Sequence, residues 1–144
     1  MVLQQSRSSG SLPDDLLAAR WLEGGRDPAI GLDCLGITLL AAELRGIPVE
    51  DPWPRLEAAW QEAGPKLELL DFPPSWRRLD DVRAAQRNDV AVMTVVDFHR
   101  RVPGHLGFFW QDRMIVSARA ECGVVLEPFE RLWRQILGVW RYEP

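Results

Sequence analysis

A chain of 144 residues, 47% of them apolar, with a net charge of −4, fits one globular domain with a sizeable core. The acidic balance excludes the broad basic face of a duplex-DNA binder. Two cysteines exclude a disulfide framework, and no stretch approaches the ~18 consecutive apolar residues of a membrane span.

Residues 1–12 read as a flexible, Ser-rich N-terminus, and 13–144 as a single domain. MVLQQSRSSGSLPDD lacks an apolar core of signal-peptide length, so synthesis in the cytoplasm without a classical export signal is expected. A first helix is predicted from Pro13 to about Leu22, with Asp14 and Asp15 favourable in its first turn. EGGRDPAIG is a loop by its Gly and Pro content. DCLGITLLAAELRG follows, too densely apolar for a surface helix and therefore predicted to be buried. Asp33 stands at or beside its N-cap, and Gly46 is its stop. PWPRLEAAWQEAG reads as a short helix and DFPPSWRR as irregular. From Asp89 the texture turns to strands: DVAVMTVV, HLGFFWQ, RMIVSA and CGVVLEP. A short helix, FERLWRQI, interrupts before the closing strand LGVWRY. Helices first and an antiparallel sheet second argue an α+β fold.

Cys34 is placed in the first turn of the buried helix, directly after the Gly-rich loop. Unpaired N–H groups and positive potential at a helix start favour a thiolate and can hold an oxyanion. A small buried hydrophobe is the common fate of a lone Cys, and that alternative stands for Cys34 taken alone. His105 is one of only two histidines and opens the strand PGHLGFFW, where a base could reach a helix N-terminus. His99, in the polar segment DFHRR, has no such setting.

The ordered pattern G-x-D-C-x-G at 31–36, D-V-A-V-M at 89–93, G-H-L-G-F at 104–108, R-M-I at 113–115 and G-V-V-L-E-P at 123–128, closing on Arg141, resembles the NlpC-type cysteine peptidases of the papain-like clan. It is most similar to the short versions encoded with phage and prophage tails. The resemblance implies a papain-like fold, with the nucleophile helix packed on a central antiparallel sheet. It also implies Cys34 as nucleophile and His105 as base, acting on peptide bonds of peptidoglycan stems with no cofactor. Phage tail proteins enter as partners, and virion or tail association as the destination. The family carries a third polar residue on the next strand to orient the base. Counting from R-M-I puts Val116 there, with Ser117 expected on the opposite face. Asn88 replaces the family's turn glycine and tolerates the same left-handed conformation.

Asp33 and Ser117 are supporting candidates. Trp21 and Trp110 are candidates for a substrate groove, although core packing is the commoner role for Trp; Trp53 and Trp76 read the same way. Cys122 reads as structural, in or beside a strand. Two histidines and two distant cysteines make no zinc site, and no phosphate-binding loop is present. Two alternatives accompany the hydrolase: a tail-assembly or wall-binding module that kept the fold with impaired catalysis, and a thiol-dependent amidase or acyltransferase.

Overall fold

The structure, a computed structural model, describes residues 11–51, 72–97 and 100–144. The expected helix at 52–64, with Trp53, and His99 lie outside the described residues. Its elements are α1 (Asp14–Leu17), β1 (Arg26–Asp27), β2 (Gly31–Leu32), α2 (Cys34–Leu44), β3 (Trp76–Arg78), β4 (Val90–Asp97), β5 (Arg100–Gln111), β6 (Met114–Arg119), β7 (Gly123–Pro128), α3 (Phe129–Leu132) and β8 (Ile136–Tyr142). Single 3-10 turns cover Val82–Ala84 and Trp133–Gln135. This is the expected α+β architecture.

The main sheet is antiparallel with strand order β3-β8-β4-β5-β6-β7. One face packs on α2: Ile37, Ala41 and Ala42 are buried with Val92, Phe108, Trp110, Val116 and Ala118. The other face carries Ala91, Met93, Phe109, Ile115 and Val139 under Phe129 and Leu132 of α3. A sheet covered on both sides accounts for the near-continuous apolar runs of β4 to β6.

Four local readings change. The first helix stops at Leu17, because residues 20–22 turn to pair with Leu32: Leu32 N–H donates to Arg20 O at 2.9 Å and Leu22 N–H to Leu32 O at 3.1 Å. DFPPSWRR, read as irregular, contains β3, which pairs with the C-terminal end of β8. His105 lies inside β5 rather than at its start, just after a bulge at which Met93 faces His105 but Thr94 faces Pro103. Cys122 is exposed in the turn between β6 and β7, not packed.

Two polar contacts lock the sheet to its surroundings. Asp89, 1% exposed, receives Arg141 Nε at 3.0 Å and Nη2 at 2.9 Å, tying the start of β4 to β8. Arg45, at the end of α2, stacks 3.7 Å over Trp110 and donates to Asn88 Oδ1 at 2.9 Å. Asn88 has φ of 77°, the left-handed conformation its side chain tolerates.

The Gly-rich loop reaches α2 by close backbone approach. A Cβ on Gly36 would collide with the Gly25 carbonyl. We expect Gly36→Ala to cost about 1–3 kcal/mol, since the obstacle is backbone rather than a flexible side chain. Denaturant unfolding of the two proteins measures it.

Candidate active site

α2 begins because Asp33, in extended conformation, hands its side chain to the helix. Its Oδ1 accepts Gly36 N–H at 2.8 Å, and its Oδ2 accepts Gly24 N–H at 2.8 Å. The sequence-predicted cap is therefore also the clip that holds the preceding loop. Cys34 follows as the first helical residue, with the N–H groups of Cys34 and Leu35 turned toward its sulfur.

The sulfur meets β5. The backbone N–H of Leu106 hydrogen-bonds to the Cys34 thiol. It is free to do so because the β5–β6 ladder runs only as far as Phe108↔Val116. Beyond that pair the two strands part, and the start of α2 meets β5 there. Cys34 thus meets the strand one residue after His105, whose side chain lies on the face opposite Leu106. His105 is 9% exposed, and its Nε2 has no hydrogen-bond partner in the resting structure.

The face on which His105 lies follows from strand alternation. His105, Gly107 and Phe109 share one face of β5, opposite Leu106, Phe108 and Trp110. Phe108 faces Val116 and Phe109 faces Ile115, so on β6 the same face holds Ile115, Ser117 and Arg119. Val116 is instead buried in the core under α2. This reverses the sequence expectation: Ser117, not Val116, is the β6 residue on the side of His105. The cause is a bulge. Gln111 pairs with Met114 but Phe109 with Ile115, so one residue is extra near the hairpin turn and the parity of β6 flips relative to a plain count.

Ser117 is fully buried, and its hydroxyl has no partner in the resting structure. Arg119 donates Nε to Glu127 Oε1 at 2.7 Å on the same face. Of the two tryptophans considered for a groove, Trp110 is a core residue beneath Arg45, 2% exposed, and forms no groove wall. Trp21 is half-buried against the same core and bridges to Leu32. Among the described residues no group of three or more His, Cys, Asp or Glu side chains could hold a metal ion.

Electrostatics differ from the sequence expectation of a thiolate. Burial pushes the Cys34 thiol up to about 11, with the Leu106 N–H opposing and the Asp33 carboxylate adding to the rise. Burial likewise draws the His105 imidazole down to about 4; Arg119 pushes the same way, while Glu127 and Glu121 oppose. Desolvation disfavours the charged form of both groups. At rest the thiol and the imidazole are therefore each neutral.

No protein-family model matches the chain, and no curated protein does. Solved structures do. An NlpC/P60 family protein from Bacillus cereus is 19% identical with a TM-score of 0.59, over 90% of this chain and 37% of that one. A Staphylococcus aureus protein described as similar to lipoprotein, NLP/P60 family, is 11% identical with a TM-score of 0.58, over 98% and 40% of the two chains. The chain therefore has the fold of these proteins and spans less than half of their length.

A neutral resting pair sets the pH response. The rate of iodoacetamide labelling at Cys34 should climb through pH 9–11, because the thiolate fraction grows until pH passes the raised pKa of about 11. Mass spectrometry separates Cys34 from the exposed Cys122. A plateau below pH 8 would show a thiolate already formed.

Proposed function

We propose that this chain, which has the fold of the NlpC/P60 proteins, is a cysteine-dependent hydrolase that cuts peptide bonds in peptidoglycan stem peptides. The observation that carries the reading is the meeting of the capped α2 start, bearing Cys34, with β5 at Leu106, beside His105. The resemblance of the G-x-D-C-x-G and G-H-L-G-F segments supports the same roles. Tail-associated action, with phage tail proteins as partners, belongs to this proposal.

The reaction follows from the neutral pair. The Cys34 sulfur attacks the scissile carbonyl carbon as its proton passes to His105, so that no separated ion pair is needed beforehand. The new oxyanion is held by N–H groups at the start of α2. His105 returns the proton to the leaving amine as the C–N bond breaks, which leaves a thioester on Cys34. Water, deprotonated by His105, then attacks the thioester; a carboxylic acid departs and the thiol is restored. Ser117 supplies the orienting hydroxyl: it is a polar group on the side of His105, buried and unpartnered at rest, so it is available to the imidazole when the proton moves.

One observation favours a second reading, a wall-binding or tail-assembly module without turnover. His105 Nε2 is buried and makes no hydrogen bond at rest, so the base is not yet held in one orientation.

Purified peptidoglycan treated with wild type, Cys34→Ala and Ser117→Ala, with released fragments read by mass spectrometry, decides between them. The hydrolase reading predicts stem-peptide fragments from wild type, none from Cys34→Ala, and roughly tenfold slower release from Ser117→Ala, the scale of one neutral hydrogen bond. Ser117→Ala should keep its melting temperature, because the hydroxyl it loses has no partner. Wild type that binds the polymer and releases nothing supports the module instead.

A further inference from the structure

Arg26 takes no part in the proton transfers, yet it holds two of the groups that seat the nucleophile helix, the Asp33 cap and the Gly25 carbonyl. Its Nη1 donates to Asp33 Oδ1 and to the Gly25 carbonyl, both at 2.8 Å, and its Nε donates to Asp51 Oδ2 at 2.7 Å. The Gly25 carbonyl is the one lodged against Gly36 in the first turn of α2. Asp33 and Arg26 are both largely enclosed, at 15% and 30% side-chain exposure, so their contact is screened less than a surface pair.

The Asp33 cap carries a built-in conflict. A carboxylate is a good cap, since it satisfies helix N–H groups and suits the positive end of the helix. It is also a negative charge one residue from a sulfur that must become negative. An uncharged Ser, Thr or Asn would cap without that conflict, but would offer no partner charge for a guanidinium.

We infer that Arg26 is a positioning residue of the thiol site, clamping the Asp33 carboxylate in the cap and offsetting its negative charge beside Cys34. The inference rests on the reading of Cys34 as nucleophile. The charged group bearing on the sulfur is Asp33, with Arg26 paired to it from the loop and Asp51 behind Arg26; on β5 the nearest titratable residue along the strand is His105, neutral at rest. Asp51 shares the same guanidinium, so it weakens the offset that Arg26 gives to Asp33. Removing Arg26 and removing Asp51 should consequently move the thiol in opposite directions, which simple loss of packing would not do.

The test is the rate of Cys34 carbamidomethylation at fixed pH values between about 8 and 10, below the midpoint, in a Cys122→Ser background. Arg26→Gln should slow labelling about tenfold at each of these pH values, the effect of about one unit in the thiol's pKa. The double variant Arg26→Gln/Asp33→Asn should recover at least the parent rate, because the charge that Arg26 offsets is gone. Asp51→Asn should quicken labelling about threefold, and it leaves the Arg26–Asp33 contact intact should Arg26→Gln fold poorly. Unchanged labelling in Arg26→Gln, or a double variant as slow as the single one, overturns the inference. Peptidoglycan digestion by the parent protein separates the two possible failures. Digestion with unmoved labelling sinks the role of Arg26 alone. Shifted labelling without digestion sinks the hydrolase reading alone.

Discussion

The Asp33 carboxylate is the contact on which the rest of the site depends. It receives the Gly36 N–H of α2, the Gly24 N–H of the preceding loop, and Arg26. It joins the helix start to a loop that the β1–β2 ladder and the Leu22–Leu32 bond already hold near α2, and helps seat the Gly25 carbonyl against Gly36. With it, α2 points its first residue into the place where β5 and β6 part. The sheet gives up one ladder hydrogen bond there, and the Leu106 N–H goes to sulfur instead.

Magnitudes decide the protonation state of the pair. A helix N-terminus stabilises an adjacent negative charge by about 0.3–1 kcal/mol, rising to about 2 in partly buried geometry. Lifting the thiol from 9.0 to about 11 corresponds to roughly 3 kcal/mol in the other direction. Burial wins. The same enclosure neutralises His105, and in the proposed reaction two neutral groups suit proton transfer that accompanies attack, whereas a preformed ion pair would have to survive in the same desolvated setting.

Much of the frame was legible in the sequence. The dense apolar stretch after Asp33, closed by Gly46, predicts α2, and the short β-branched and aromatic runs from Val90 onward, separated by turn residues, predict β4 to β8. Asn88 was readable as a left-handed turn residue, and it is one. The face of β6 was not legible. A bulge near Gln111 adds one residue to the hairpin without leaving a turn signature, and a one-residue slip exchanges Val116 for Ser117 beside His105. The end of α1 was missed for a related reason. Residues 20–22 are satisfied by pairing with Leu32, ten to twelve positions on, and local propensity carries no trace of it. Nor could the thiolate expectation be corrected from sequence, because the helix start is visible there while the depth of burial is not.

Cys34 and His105 both rest neutral near the α2–β5 contact. With only two histidines in the chain, the imidazole Cε1–H signals can be followed one by one through a pH titration by NMR. His105 should titrate near the depressed value of about 4 and be neutral at pH 7. An imidazolium persisting at pH 7, with a midpoint that falls when Cys34 is replaced by alanine, would reveal a standing thiolate–imidazolium pair and contradict it.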